Sequence, residues 1–222
     1  MNEDPYAVLR RQMVDVIAIY AHYSADKLGK DRFDKRIMEV MGRVPRHEFV
    51  PVELRPYAYA DGPLPIGYDK TISQPYMVAL MTELADIDEG TTVLEIGTGL
   101  GYHAAVMASL GARVFSVEIV DELATRAKHN LARLGFAGIE LRIGDGSHGW
   151  AEHAPFDRVV VAAAPELIPP SLINQLKPGG RMVVPAGMAD AQQLMVVEKD
   201  QKERLTSREI LPVRFGAMET VN

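Results

Sequence analysis

An apolar run ends abruptly in a glycine turn at Val93-Leu94-Glu95-Ile96-Gly97-Thr98-Gly99-Leu100-Gly101-Tyr102. The segment predicts a buried strand, a tight turn and the start of a helix. Glycines are needed at such a turn because the chain reverses sharply at the carboxyl end of the strand, and because a Cβ atom would keep a ligand away from the backbone. The stretch therefore predicts a seat for a nucleotide or a nucleoside.

The spacing of the glycines distinguishes a dinucleotide from a single nucleoside. A dinucleotide fingerprint has glycine at the first, third and sixth positions, whereas the sixth position here is Tyr102. The next predicted strand, 113–117, is followed by Glu118, whose carboxylate is placed to accept hydrogen bonds from both ribose hydroxyls. A single nucleoside therefore fits the turn better than NAD, and the pattern disfavours an NAD-dependent dehydrogenase.

Length and composition limit the classes of function. A chain of 222 residues buries one large core with a modest extension, so we expect a single domain. The net charge of −6 argues against nucleic acid as a partner, and no apolar run approaches the ~20 residues of a membrane helix. The chain has no cysteine, which excludes disulfides and cysteine nucleophiles. Met1-Asn2-Glu3-Asp4 lacks the pattern of a signal peptide, so we expect a cytoplasmic protein without membrane partners.

Strand and helix patterns alternate along the chain after the glycine turn. Helical patterns cover 99–110 and 121–134, and strand patterns cover 113–118, 139–143, 157–162 and 181–185. This alternation predicts an α/β fold with a doubly wound, mostly parallel sheet that binds ligands at the carboxyl ends of its strands. Lys177-Pro178-Gly179-Gly180 is typical of a helix end before the fifth strand. Two more strand patterns, 193–198 and 208–215, predict a terminal antiparallel pair whose order in the sheet stays open.

The first third of the chain, 1–75, is predicted to be an N-terminal helical extension and an active-site loop, and 76–222 the α/β core with the terminal pair. Apolar spacing predicts a helix over 5–24, and Asp31 is placed to cap a second helix that ends near Gly42. Residues 50–68 hold four prolines and two glycines among aromatic and aliphatic side chains, which predicts an ordered loop.

Ser73 has two interpretations. It lies just before Pro75, in a good N-cap position for a helix that runs through Leu84. Serine is among the preferred cap residues, and most caps are structural, so the local sequence by itself favours capping over a role in chemistry.

Several motifs resemble those of known families. The segment from Gly97 to Glu118 resembles the first motif of the S-adenosylmethionine (SAM) dependent methyltransferases, in which the turn lies against the methionine part and the acid holds the ribose. Pro63-Leu64-Pro65-Ile66-Gly67 and Thr71-Ile72-Ser73-Gln74-Pro75-Tyr76 look like the signature of the protein-L-isoaspartate O-methyltransferases. The likeness spans essentially residues 35–215, and its further motifs are 93–102, 144–150, 154–157, 175–181 and 212–215.

This resemblance implies roles for individual residues. Ser73 matches the family's active-site serine, and the segment around Thr71 closes over the cofactor. The implied cofactor-binding residues are Thr71, Ile72, Tyr76, Glu95, Gly97, Thr98, Gly99, Glu118, Asp145 and Gly146. The implied reaction moves a methyl group from SAM, which becomes S-adenosylhomocysteine, to the free α-carboxylate of L-isoaspartyl or D-aspartyl residues in damaged proteins and peptides. The ester then collapses without the enzyme to a succinimide, which reopens partly to normal aspartate, so the implied role is protein repair.

The chain departs from the family pattern at two places. Asp69-Lys70 stands where the family commonly has glycine or asparagine followed by glutamine, so we expect a charged pair at the mouth to alter substrate choice. The family usually continues with Val-Pro-Leu where this chain has Gly216-Ala217-Met218-Glu219, so the contacts that the family's tail makes are not carried over to this chain. Two alternatives therefore remain: a carboxyl methyltransferase of this family dedicated to one peptide or small acid, and a non-catalytic SAM-binding protein. The intact Thr71-Ile72-Ser73 argues against the second.

The partners expected from the resemblance are isoaspartyl-containing proteins and peptides, and we expect a monomer. We expect no metal site. His148, Glu152 and His153 suggest metal ligands by composition, but they lack the i,i+4 spacing that places two imidazoles on one helix face.

Overall fold

The structure, a computed structural model, describes residues 4–221. Within them the chain forms seven α-helices and nine β-strands. In chain order these are α1 (Ala7–Tyr23), α2 (Ala25–Leu28), α3 (Lys35–Met41), β1 (Leu64–Gly67), β2 (Lys70–Ile72), α4 (Pro75–Ala85), β3 (Thr92–Ile96), α5 (Tyr102–Ser109), β4 (Arg113–Glu118), α6 (Asp121–Arg133), β5 (Glu140–Ile143), β6 (Phe156–Val161), α7 (Pro170–Asn174), β7 (Leu176–Ala186), β8 (Gln193–Lys199) and β9 (Leu205–Pro212). Met1, Asn2, Glu3 and Asn222, which belong to the expected domain 1–222, lie outside the described residues.

Seven strands form one sheet in the order β5-β4-β3-β6-β7-β8-β9. The strands from β5 to β7 run parallel, whereas β8 pairs antiparallel with β7, and β9 with β8. The expected parallel sheet with a terminal antiparallel pair is confirmed, and the last strands follow the order of the chain. The winding reverses between β3 and β6, so the carboxyl ends of these two strands meet at the crevice where such sheets bind ligands.

Helices cover both faces of the sheet. Successive residues of a strand point to opposite faces, so each strand contributes side chains to two hydrophobic clusters. Val93 of β3 and Val160 of β6 belong to the hydrophobic cluster that also contains side chains of α4, α5 and α6. Their neighbours Leu94 and Val159 belong to a second cluster, together with Leu172 of α7. The arrangement is doubly wound, as expected.

α4 is buried on all sides, since every residue from Pro75 to Ala85 is buried. It contacts β6 and β7 on one side and α1 and α3 on the other. Met13 and Ile17 of α1 are at most 1% exposed and belong to the same cluster as Leu80 of α4. The predicted N-terminal helix therefore exists, and it covers the helix that follows Ser73.

Two helix starts were predicted wrongly. Asp34, not Asp31, caps α3, because its side chain accepts a 2.7 Å hydrogen bond from the N–H of Arg36. Gln74, not Ser73, is the N-cap residue of α4, and no side-chain cap bond is present there. The reason is that Pro75 is the first helical residue, so the N-cap position falls on the residue directly before it.

The predicted loop over 50–68 contains more regular structure than expected. It holds a 3₁₀ turn at Val52–Tyr57 and strand β1, which pairs with β2 in a hairpin that places Leu64 opposite Ile72. Tyr68 and Asp69 form the hairpin turn, and their φ angles of 55° and 54° are the left-handed values that a two-residue type I′ turn requires.

Two boundaries near the carboxyl end also differ from the prediction. α7 ends at Asn174, so Lys177–Gly180 lie in β7 and do not end the helix. β9 covers Leu205–Pro212 instead of 208–215, because the chain leaves the sheet after Pro212. After Pro212, a side chain replaces the neighbouring strand as hydrogen-bond partner: Oε1 of Gln192 accepts a hydrogen bond from the N–H of Phe215 at 2.6 Å.

Replacing the cap of α3 should destabilise the protein, whereas replacing the predicted cap should not. We expect Asp34→Ala to lower the free energy of unfolding by about 1 kcal/mol at pH 7, and Asp31→Ala, the matched control, by less than about 0.5 kcal/mol. Hydrogen bonds from Arg36 hold the pKa of Asp34 below its ordinary value, so the difference should shrink as the pH falls through that lowered pKa. Urea unfolding measures it, and equal losses in the two variants would contradict the cap assignment.

Candidate active site

Three glycines shape the turn between β3 and α5. Gly97, Gly99 and Gly101 have φ angles of 91°, 58° and 96°, which favour glycine. A Cβ atom on Gly101 would lie 3.0 Å from Cγ of Leu131 in α6. Gly97 and Gly99 line a cavity of about 970 Å³ at the carboxyl edge of the sheet. The turn is therefore closely packed on one side and open to a ligand on the other.

The cavity lies between three parts of the chain. One wall is the carboxyl edge of β3, β4 and β6, the second is the hairpin with the start of α4, and the third is the segment 213–219 after β9. The predicted site residues on these walls are Thr71, Ser73, Tyr76, Gly97, Gly99, Glu118 and Gly146. Ile72, Glu95, Thr98 and Asp145 do not line the cavity.

Glu118 ends β4 and connects it to the glycine turn. Its Oε2 accepts a 2.7 Å hydrogen bond from the N–H of Gly99, and its Oε1 accepts one of 3.0 Å from the N–H of Val120. Burial raises the pKa of Glu118, although these N–H donors oppose the rise. Each carboxylate oxygen keeps a lone pair, so the group can still accept hydrogen bonds from a ligand.

Glu95 and Thr98 lie behind the glycine turn. The hydroxyl of Ser116 donates to Oε2 of Glu95 at 2.5 Å and lies 2.5 Å from the hydroxyl of Thr98. Glu95 is fully buried, and burial raises its pKa to about 8, so this carboxyl group is mostly neutral at pH 7. These residues support the turn from the interior of the protein.

Asp145 and Gly146 follow β5, but only one of the two lines the cavity. Gly146 lines the cavity, and a Cβ atom there would lie 2.3 Å from Cγ2 of Ile96, so only glycine fits. The carboxylate of Asp145 accepts hydrogen bonds from the N–H groups of Ser147 and Val221, at 2.8 and 2.9 Å. Burial by itself would raise the pKa of Asp145, but these bonds hold it below its ordinary value. Asp145 thus connects the end of β5 to the end of the chain.

The segment from Thr71 to Tyr76 brings the hairpin and α4 to the cavity. Thr71, Ser73 and Tyr76 line it, whereas Ile72 is 7% exposed and packs in the hydrophobic core. The Tyr76 hydroxyl lies 2.7 Å from the hydroxyl of Ser24. The Ser73 hydroxyl makes no hydrogen bond with another residue of the described range 4–221, and Ser73 lines the cavity.

Asp61 holds this segment in place, and the sequence analysis missed it. Its Oδ1 accepts the N–H of Tyr76 at 3.1 Å, and its Oδ2 accepts the side-chain N–H of Gln74 at 2.7 Å. Asp61 therefore satisfies a free N–H in the first turn of α4 from outside the helix, as a capping residue does from within the chain. An acidic residue twelve positions before Ser73 carries no local signal for this contact.

The segment after β9 was also missed as a wall of the cavity. Gln192 binds it through both amide atoms, since its Nε2 donates to the carbonyl of Phe215 at 3.1 Å and its Oε1 accepts the N–H of the same residue. Ala164 and Ala217 form an isolated parallel bridge. Arg214 is exposed and lines the cavity. The sequence pointed to this region only through the family motif at 212–215 and the departure at 216–219, and neither predicts that it lines the cavity.

The histidines near the site lie apart from each other. His148 has a side chain that is 74% exposed, whereas His153 stacks on Phe115 with ring centroids 4.4 Å apart. No group of three or more histidine, aspartate or glutamate side chains within the described residues is placed to hold a metal ion.

Comparison with known proteins places this geometry in a family. The family model described as protein-L-isoaspartate(D-aspartate) O-methyltransferase matches residues 25–220. The chain is 54% identical, over 219 residues, to protein-L-isoaspartate O-methyltransferase 1 of Polaromonas sp. strain JS666, with 99% of this chain and 93% of the relative covered. It is 53% identical to protein-L-isoaspartate O-methyltransferase 2 of Syntrophobacter fumaroxidans, with 96% and 87% covered.

Solved structures agree. A protein-L-isoaspartate O-methyltransferase matches with a TM-score of 0.80 and 30% identity, covering 94% of this chain and 65% of that one. A Plasmodium falciparum protein solved in complex with S-adenosyl-L-homocysteine shares the fold, with a TM-score of 0.77, 20% identity, and 98% and 99% covered. The chain therefore belongs to the protein-L-isoaspartate(D-aspartate) O-methyltransferase family, whose enzymes depend on SAM.

Proposed function

We propose that this protein transfers the methyl group of SAM to the free α-carboxylate of L-isoaspartyl and D-aspartyl residues in damaged proteins and peptides, and so starts their repair through a succinimide. Family membership supports the reaction and the substrate class. The observation that carries the proposal for the site is that Ser73, the glycine turn and Glu118 line one cavity. A binding protein without catalysis would need no such hydroxyl beside the cofactor seat.

The residues present fit SAM, which supplies a methyl group activated by its sulfonium. Gly97 and Gly99 leave room for the methionine part, where a side chain would fill the cavity. Glu118 offers hydrogen-bond acceptors for the ribose hydroxyls. Its chain neighbours Val117 and Ile119 offer apolar surface for the adenine ring. The cavity is large enough to hold a substrate segment in addition.

Ser73 is proposed to position the reacting carboxylate. A carboxyl group with a pKa near 4 is already an anion at neutral pH, so the site needs no general base. The substrate oxygen bonds to the methyl carbon while the bond from that carbon to sulfur breaks, and no proton moves. Holding the reacting atoms in line contributes up to roughly 7–11 kcal/mol in well-oriented reactions. The Ser73 hydroxyl orients the carboxylate by donating a hydrogen bond.

The remaining predicted residues divide between contact and support. We propose that Thr71 and Tyr76, which line the cavity, close one side of the cofactor seat, with Gly146 on the other side. The residues assigned to support from behind the wall are Ile72, Glu95, Thr98 and Asp145. The burial of Ile72, Glu95 and Thr98 supports this division, as do the internal hydrogen bonds of Glu95, Thr98 and Asp145.

We also propose that the chain works as a single methyltransferase domain, with residues 1–75 as an extension that covers the core 76–222. The hydrophobic cluster that α1, α3 and α4 share with the sheet supports this. The net charge of −6 supports a substrate other than nucleic acid. None of the helices between residues 4 and 221 combines the length and the apolar character needed to cross a bilayer. The monomeric state and the cytoplasmic location stay predictions from the sequence.

The isoaspartyl form of a peptide should be methylated and its aspartyl twin should not, although their carboxylates have nearly equal pKa values. The isoaspartyl link adds a methylene to the backbone and places the free carboxylate on the α-carbon, so geometry alone separates the two substrates. Labelled SAM and a base-labile ester readout measure both rates. Equal rates would contradict repair and indicate a general carboxyl methyltransferase.

Ser73→Ala should lower kcat/KM for the isoaspartyl peptide at least 10²-fold, which is about 2.7 kcal/mol of transition-state stabilisation. Because Ser73 does not cap α4, the variant should unfold within about 0.5 kcal/mol of the parent protein and bind SAM normally. Ser207→Ala, on an exposed position of β9, is the matched control. A Ser73→Ala protein with full turnover would refute the positioning role.

Glu118→Ala should weaken SAM binding by about 2–4 kcal/mol, because hydrogen bonds to a charged acceptor are worth about 1.5–3 kcal/mol each and water recovers part. The N–H of Gly99 also loses its acceptor, which loosens the turn. Calorimetry measures the affinity, and Glu122→Ala, on the exposed start of α6, is the control. Unchanged affinity in a folded Glu118→Ala protein would rule out the ribose contact.

A further inference from the structure

Lys70 and Glu219 form an ion pair between the two places where the chain departs from its family's pattern. Lys70 begins β2, and Glu219 lies in residues 213–221, the C-terminal strap. Lys70 Nζ donates to Oε1 of Glu219 across 149 positions of the sequence. Both residues line the cavity, and their side chains are 24% and 55% exposed. The pair therefore spans the mouth of the site.

The strap is attached much more firmly to the sheet than to the hairpin. The N–H of Ala164 donates to the carbonyl of Gly216 at 2.8 Å, and the N–H of Met218 donates to the carbonyl of Ala164 at 2.9 Å. The N–H of Val221 binds Asp145. Among the hydrogen bonds and ion pairs of residues 4–221, only Lys70–Glu219 joins the strap to the hairpin. Partly exposed ion pairs are weak, so this one can exchange partners.

Lys70 is one of only two cations on the described cavity wall, so an incoming carboxylate has few other groups with which to pair. Asp69, Glu166 and Glu219 bring negative charge to the cavity wall, and Lys70 and Arg214 bring positive charge. The charge of Lys70 opposes the rise that burial causes in the pKa of Glu118, so the ammonium group acts on a carboxylate of the same cavity wall. A carboxylate from the substrate that enters this mouth meets Lys70 already neutralised by Glu219.

We propose that Lys70 is a specificity-determining residue that exchanges Glu219 for the carboxylate of an acidic residue next to the isoaspartate. The inference rests on the proposed function, since it names the substrates that this site prefers. Neighbouring residues of an extended peptide are about 3.3–3.6 Å apart. Lys70 lies three positions before Ser73 in the chain and lines the same cavity, so a glutamate beside the isoaspartate is the substrate group that would pair with Lys70 while the reacting carboxylate lies at Ser73. Glu219 occupies the place of that flanking acid when no substrate is bound.

The experiment compares three isoaspartyl peptides that carry glutamine, glutamate or lysine on both sides of the isoaspartate. The measured quantity is the ratio of kcat/KM for a charged peptide to that for the glutamine peptide. This ratio cancels any loss of folding or of SAM binding, because such losses affect all three peptides equally. The variants are Glu219→Gln and the charge swap Lys70→Glu with Glu219→Lys, which keeps the total charge of the mouth unchanged.

In Glu219→Gln, the ratio of the glutamate to the glutamine peptide should rise at least threefold, chiefly through KM, because Lys70 has lost its internal partner. In the charge swap the preference should move to the lysine peptide, because the hairpin then carries the negative charge. Both effects should vanish in 1 M salt, where the Debye length is about 3 Å. A structural role of the pair alone predicts none of these shifts.

Four outcomes would overturn the inference. Ratios that stay the same in both variants would leave the ion pair with a structural role only. A preference for glutamate that survives the charge swap would assign the contact to Arg214, the other cation of the described cavity wall. If the unmodified protein methylates none of the isoaspartyl peptides, the proposed function itself fails and the inference falls with it, whereas equal methylation of all three contradicts the inference alone.

Discussion

The carboxylate of Glu118 connects the two strands on which the site is built. It accepts the N–H of Gly99 and so holds the turn after β3 against the end of β4. Gly97 and Gly99 can then face the cavity in a left-handed conformation, while the next glycine packs on α6. One side chain thereby fixes the shape of the turn and leaves acceptors at its surface. This bond holds the cavity wall together at the point where we propose that the cofactor binds.

The electrostatics of the seat depend on a second acid. Glu95 is fully buried a few residues before the turn, and the charge of Glu118 adds to the effect of burial in raising its pKa to about 8. A neutral Glu95 leaves Glu118 as the negative group of the pair near pH 7. Two charged carboxylates in the same poorly solvated region would repel each other strongly. This part of the cavity wall therefore carries its negative charge on Glu118 alone.

The substrate side of the cavity is assembled from segments that are far apart in the chain. Asp61 holds the start of α4 through Tyr76, which leaves the Ser73 hydroxyl free for the cavity. The strap closes the opposite wall through Ala164 and Gln192. The core around α4 is buried, whereas the mouth is held by one partly exposed ion pair. This division suits an enzyme that must keep its cofactor seat constant and admit varied polypeptide segments.

The sequence by itself determined the α/β class and the parallel strands, because periodicity and glycine spacing are local signals, and it predicted that Gly97 and Glu118 belong to one site. It also predicted a role for Ser73, although only through the family resemblance, since its local pattern indicated a helix cap. The tertiary structure decided that Gln74 is the cap and that Asp61 supplies the acceptor. It alone brought Lys70 to Glu219. Contacts of this kind join residues that are distant in the chain, and no local pattern encodes which segments fold back onto which.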